Sequence, residues 1–369
     1  MKIILGCMLM LLTWTGCGSG PATRPSTNPV QREVTIDTAF ENKFMPDTVG
    51  FAGGDGVYSQ LLPDGRTVWI FGDTFIGNLD KGNKRHKTDP LYIRNSFVVF
   101  DGDQRITLQQ GNPSDFRSMM IPPEVRDGTS GKTELERWYW PGDALVEEDR
   151  MYVFNSRFTQ IDTGMWDFQF EGTDVVEFGL LEIQELRTLS LGNFNEIHFG
   201  HAICETDSFT YIYGLKDGYA HAARAKTGNI LGKWDYFMGQ GWSDDFLDAQ
   251  PMVDFPGSEQ FSVFPYLDQF IMVMQEGHLG RRIFAYTADT PVGPWSEGIL
   301  VYETPLPDSS NLFTYNALAH PQFMKDNKLL ISYNTNSTRL EDHFEDALIY
   351  RPRFIRVPME MILGEAAGH

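Results

Sequence analysis

Residues 51–77 read FAGGDGVYSQLLPDGRTVWIFGDTFIG. Two runs rich in β-branched and aromatic residues flank Pro63-Asp64-Gly65-Arg66, and an Asp-Gly pair between such runs is a strong short-range signal for a tight hairpin. With Asp64-Gly65 as a two-residue loop, Pro63 faces Arg66, and Asp55 and Asp73 fall opposite one another to within one residue. Both aspartates have glycine neighbours, in Gly-Gly-Asp-Gly and Phe-Gly-Asp-Thr, which leave room for a ligand to approach the backbone.

The hairpin recurs along the chain. Gly142-DALVEEDRMYVFNS, Gly200-HAICETDSFTYIYG, Gln260-FSVFPYLDQFIMVMQ and Ala319-HPQFMKDNKLLISYN each pair two apolar runs about an acidic or Asn-containing turn. The starts lie near 56, 142, 200, 260 and 319, so the last three intervals are 58, 60 and 59 residues. A fixed period of this size, with a strand pair in each unit, is the signature of propeller blades. The longer first interval is read as insertions at 78–93 and 108–137. Further strands recur after the hairpins (NSFVVF from Asn95, YAHAARA from Tyr219, RIFAYTA from Arg282), and two units carry a Gly-x-Trp corner at Gly232–Trp234 and Gly293–Trp295. Helical periodicity is scarce, with Glu177–Leu191 its best candidate. The expected fold is an all-β, five-bladed β-propeller over residues 41–360, with Leu348–Val357 closing the ring.

Composition agrees with a globular chain: 369 residues, 41% hydrophobic, with a net charge of −20 that disfavours nucleic acid, where cations must neutralise phosphate. Met1-Lys2, the apolar run Ile3–Trp14 and Thr15-Gly16-Cys17 have signal-peptide form, and the run is too short to span a bilayer. A cysteine after a small residue at that point resembles a bacterial lipobox, with Trp14 where leucine is usual. Residues 1–17 are therefore expected to be a lipoprotein signal peptide with Cys17 lipidated. Residues 18–40 are expected to hold a tether, Gly/Pro/Ser/Thr-rich over 18–31, and an N-terminal strand. The expected location is the cell envelope, lipid-anchored at the outer membrane or cell surface, or secreted, and the expected state is monomeric. Cys204 is then the single mature cysteine and reads as a buried structural thiol. No CxxC, HExxH, GxSxG or P-loop is present.

In a propeller the innermost strand of each blade lines the central channel, and its start and the end of the next strand lie at one face. Asp55 and Asp73 are thereby placed at the channel mouth, where two close carboxylates repel and one keeps its proton. An acid beside an ionised partner is the requirement of glycoside hydrolysis. The other blades offer polar groups at the same level. Asp143 follows Trp138-Tyr-Trp140, aromatics suited to sugar faces, and His201, Glu259, Asn316 and His320 open later inner strands, with Asn334 and Asn336 at the end of a second strand. Pairing about Asp268-Gln269 sets Glu259 opposite His278 and Phe261 opposite Glu276. Glu205 falls in a turn at the far face.

GGDGVYSQLLPDGRTVWIFGDTF, IRNSFVVF and YNALAHPQF…LLISYNTNS resemble a bacterial five-bladed propeller family, formerly of unknown function, that includes endo-D-arabinanases. The family is more distantly similar to glycoside hydrolase family 43. The resemblance covers most of residues 45–358. It implies hydrolysis of furanosidic, arabinan-type linkages, with Asp55 and Asp73 as the paired catalytic aspartates and Glu259 as a further catalytic acid or ligand. Substrate contacts are expected from Asp143, Trp140, Arg94, Asn95, His201, Asn316 and His320. The usual arabinanase pattern places its general acid on a glutamate of the third blade, where this chain has His201. A calcium held in the channel by His320 or His201 with waters is known in similar propellers; no metal-ligand spacing appears here, and no cofactor is expected. The alternatives are a non-catalytic glycan-binding surface lipoprotein and a protein-interaction platform.

Overall fold

A computed structural model describes residues 33–77, 79–80, 82–86, 92–112, 115–164, 167–277, 279–306 and 311–364. The signal and lipobox readings and His278 lie outside them. Five antiparallel meander sheets account for most of the chain. From the inside outward, blade 1 holds Tyr58–Leu61, Thr67–Phe71, Ser96–Asp101 and Gln104–Leu108. Blade 2 holds Arg137–Glu147, Arg150–Gln160, Phe168–Gly179 and Gln184–Gly192. Blade 3 holds His198–Glu205, Phe209–Lys216, Tyr219–Lys226, Asp235–Phe237 and Trp242–Ser243. Blade 4 holds Gly257–Tyr266, Gln269–Glu276, Arg282–Ala288 and Ile299–Glu303. Blade 5 holds Leu312–Lys325, Lys328–Ser337, Pro352–Pro358 and Thr35–Ile36.

The core lies between the blades. Each apolar cluster joins two neighbours: Val68 and Phe97 meet Tyr139 and Val176, while Phe154 and Val175 meet Phe199 and Ile212. Tyr213 and Ala222 meet Phe261 and Met272, and Ile271 and Ile283 meet Leu329 and Ile331. Leu330 and Phe354 meet Trp69 and Phe71, which completes the circle. Consecutive residues such as Val175 and Val176 face opposite interfaces, because side chains alternate across a strand. Blades buried on both faces read as continuous apolar runs, which is why the repeats were visible in the sequence.

Three expectations are corrected. Pro352–Pro358 is a middle strand of blade 5, and the ring is closed by Thr35–Ile36, which pairs outside it with Thr35 facing Arg356. The helical candidate 177–191 is a hairpin, with Gly179 facing Gln184. In blade 4, Tyr266 faces Gln269 and Phe261 faces Met274, so Phe261 does not oppose Glu276; Gly257 does.

After the closing strand, Asp37 caps the helix Thr38–Lys43 through Phe40 N at 2.9 Å and pairs with Arg356 Nε at 2.8 Å. The helix carries Phe44 into a nest of Phe51, Trp69, Phe71, Phe100 and Phe354. Asp37→Ala removes a cap and takes the carboxylate from the largely buried Arg356, which keeps only its bond to Phe323 O, so it should lower unfolding free energy by about 1–3 kcal/mol. Urea denaturation reads this, and an unchanged midpoint would assign closure to backbone pairing alone.

Candidate functional site

The opening hairpin has a three-residue loop. Leu62 N bonds Arg66 O at 2.8 Å, and Gly65 takes φ +90°, a left-handed turn position that glycine accepts. The register therefore moves by one residue from the two-residue expectation: Tyr58 faces Ile70 and Leu61 faces Thr67. Beyond a break at residues 55–57, a second small sheet of Phe51–Gly54, Thr74–Ile76 and Tyr92–Ile93 resumes the same register, Gly54 facing Thr74. Asp55 thus stands directly opposite Asp73. By the same continuity, Phe71 facing Ser96 and Thr74 facing Ile93 place Asp73 opposite Arg94. Asp55, Asp73 and Arg94 form one row across three strands, at the gap where the ladder is open.

The two carboxylates have unlike surroundings. Asp55 accepts the Tyr315 hydroxyl at 2.5 Å and a second hydrogen bond from Tyr350. Its carboxyl is pushed up to about 7, first by burial and then by the charge of Asp73, against the pull of the two tyrosines. Asp73 instead receives the Trp140 indole N–H at 3.1 Å, the Arg94 guanidinium at 3.4 Å to both oxygens, and a hydrogen bond from Tyr92. Arg94 sits over the Trp138 ring, 4.0 Å from its centroid, and is tied to Leu135 O at 3.1 Å. A Cβ on Gly72 would lie 2.8 Å from Asp55 Oδ1, so glycine is required for this approach. Tyr315 is held by Asn336 Nδ2 at 3.1 Å, and Asn336 by His343 Nε2 at 2.7 Å. Tyr315→Phe deletes a donor that lowers the Asp55 pKa, so any activity that needs protonated Asp55 should extend to higher pH. A pH–rate profile whose alkaline limb stays put would refute that link.

In the other blades the candidate residues lie not at strand starts but in bulges of the innermost strands. Pairing shifts between Pro141 and Ala144, Phe199 and Ala202, Gly257 and Phe261, and Tyr315 and Leu318, the intervals that hold Asp143, His201, Glu259 and Asn316. Bulges re-aim side chains in this way. Gly200 provides one of them at φ +103°, where a Cβ would strike Phe154 at 2.4 Å.

Glu259 does not join the aspartate pair. Its Oε1 lies 2.6 Å from His198 Nδ1 and 3.1 Å from His201 Nε2. Desolvation at the channel mouth would raise its pKa, but the His198 hydrogen bond and the charges of the two histidines beside it reverse that and hold it well below the usual carboxylate range. Asp143 turns toward blade 3, accepting Ile203 N at 2.8 Å and its neighbour Ala144 N at 2.9 Å, with a carboxyl pushed by burial to about 7. It lines a cavity of about 210 Å³ deeper in the channel, shared with Glu205 and His320. His320 bonds Ser59 Oγ at 2.6 Å through Nδ1 and Ser332 Oγ at 2.8 Å through Nε2. Both ring nitrogens are engaged, so this residue does not fit a calcium ligand. Asn95 is fully buried and spends its amide on Met120 and Tyr139 backbone. Asn316 sits at φ +53° with Oδ1 3.5 Å from Gln260 N.

Tyr92, Tyr315, Tyr350 and His198 were not singled out from sequence. Tyr315 immediately precedes Asn316 in a quoted motif, and His198 stands three residues before His201, so adjacency was the available signal. In a regular strand positions i and i+3 face opposite sides, and only the bulge at Gly200-His201 brings both imidazoles to one carboxylate.

The family model described as "Domain of unknown function (DUF5005)" matches residues 37–359. A search of curated proteins finds no match. Among solved structures, a "putative hydrolase" from Bacteroides ovatus ATCC 8483 aligns with a TM-score of 0.75 at 22% identity, over 88% of this chain and 89% of that one. The α-L-arabinofuranosidase PaAbf62A from Podospora anserina, in complex with cellotriose, aligns at 0.47 and 11% identity, over 84% and 94%. The GH43_1 enzyme from Xanthomonas citri, complexed with xylotriose, aligns at 0.44 and 13%, over 86% and 90%. The first of these likenesses is a likeness of fold.

Proposed function

We propose that this chain, which belongs to the DUF5005 family, is a glycoside hydrolase in which Asp55 is the proton donor and Asp73 the base or nucleophile. One observation carries the reading: two carboxylates stand face to face in the open gap of blade 1 with opposite environments. The partly buried, tyrosine-bonded Asp55 keeps its proton near neutral pH, as a general acid must. Asp73 is complemented by a cation and by N–H and O–H donors, which suits a group that carries negative charge and either activates a water or attacks the anomeric carbon. Asp55 then protonates the departing glycosidic oxygen. Arg94 and Trp140 are positioning residues that aim Asp73. The motifs around Asp55 and Asp73 favour a furanosidic, arabinan-type substrate. Lipid anchoring through Cys17 belongs to the same proposal and rests on the sequence of residues 1–17.

Sugar release from arabinan, galactan and xylan tests the reading. Release from one polymer supports a hydrolase and names its substrate class. No release from any of them, with retention of one on an affinity gel, would replace it with the glycan-binding reading and make the aspartate pair a ligand clamp.

A further inference from the structure

We propose that His198, His201 and Glu259 form a binding site for a divalent transition-metal ion of the zinc class, separate from the aspartate pair. The three side chains come from adjacent inner strands, and their donor atoms all lie within 4.8 Å of one another. His201 is only 5% exposed, yet its Nε2, 3.1 Å from Glu259 Oε1, has no hydrogen-bond partner. A buried imidazole nitrogen left unbonded beside a carboxylate is costly unless something completes it, and a cation between the two does so. The bulges in blades 3 and 4 are what turn His201 and Glu259 toward each other.

The surroundings favour a metal over a bare ion pair. His201 Nδ1 lies 3.4 Å from the Tyr58 hydroxyl, the outer-shell partner that orients a ligating imidazole. His198 packs on Phe170 with ring centroids 3.8 Å apart, which fixes its plane. Two imidazoles and one carboxylate suit zinc rather than calcium or magnesium, which favour all-oxygen shells. Three protein ligands leave a tetrahedral fourth position open. A cavity of about 270 Å³ lined by His198, Glu259, Phe170 and Lys216 adjoins the cluster and admits water or a ligand oxygen there. The site shares the end of the channel with the catalytic row: Gln260, next to Glu259, would contact a Cβ on Gly56, next to Asp55, at 3.4 Å.

The test reads binding and not turnover, so its outcome is independent of the hydrolase reading. Chelator-treated protein is titrated with Zn²⁺ by calorimetry, and with Co²⁺ as an absorbing probe. Wild type should take up one equivalent with the intense visible bands of a four-coordinate cobalt centre. Glu259→Gln and His198→Gln should each weaken uptake by at least about 100-fold, beyond the loss typical of outer-shell changes. His198 is partly exposed, so its variant should keep the fold, as checked by thermal unfolding; Zn²⁺ should raise the midpoint of wild type and not of this variant. Absence of zinc uptake by wild type would overturn the proposal, as would unchanged affinity in a folded His198→Gln.

Discussion

Asp55→Asn loses turnover by a factor of about 10²–10⁴, the span that a general acid contributes, while the propeller stays folded. The substitution keeps shape and both tyrosine contacts but holds no transferable proton. Stability should change in the opposite sense to activity. The Asp55 carboxyl is raised to about 7 by burial and by Asp73, above its value of about 3.9 in an unfolded chain. Between those values the folded state holds a proton that the unfolded state has released. Its contribution is therefore full below about pH 4 and is lost as pH rises through about 7, at ~1.4 kcal/mol per pH unit. Asp143, raised to about 7 by burial, adds a second window of the same sign. Asp55→Asn should remove one of the two, so that the variant is at least as stable as wild type near pH 8. Denaturant titrations at several pH values, run beside the activity assay, read both effects. Wild-type turnover in Asp55→Asn would end its role as proton donor, and an unchanged stability profile would place its folded pKa near the ordinary value.

Asp73→Asn should cost a similar 10²–10⁴ in turnover, because the base or nucleophile is then neutral. It also has an effect at a distance. The charge of Asp73 is the second cause of the raised Asp55 pKa, so its removal leaves burial alone to oppose the two tyrosines. The Asp55 titration should move down, and the upper edge of the stability window with it. Arg94 loses its carboxylate in the same variant while remaining bound to Leu135 and Trp138, so the blade should hold. A stability profile identical to that of wild type would show that the aspartates do not sense each other. Unimpaired turnover would remove Asp73 from the chemistry.

Much of the fold was legible in the sequence because a propeller blade is a local object. Each hairpin is written in neighbouring residues, as in Leu61-Leu62-Pro63-Asp64-Gly65-Arg66-Thr67, and its repetition at intervals near 60 residues was visible without any long-range pairing. The facing of Asp55 and Asp73 was legible for the same reason, to within the one residue that separates a two-residue from a three-residue loop.

The rest needed tertiary structure. Ring closure joins Thr35 to Arg356, strands at opposite ends of the chain, and no local pattern reports such a pair. The tyrosines that bond the aspartates come from residues 92, 315 and 350, brought together only when blade 5 closes on blade 1. Glu259 reads as a further acid on sequence, and the structure sets two imidazoles beside it; one of them reaches it through a bulge, a departure from strand periodicity that composition does not announce. Asn95 and His320 read as candidate ligands because polar residues near a channel suggest binding, but burial spends their hydrogen bonds on backbone and serine partners. Sequence thus determined the blades and the hairpin that presents the aspartate pair, through short-range turn chemistry and alternation. The closed ring alone decided the environment of each carboxylate, because charge, burial and hydrogen bonds at the channel mouth are contributed by every blade at once.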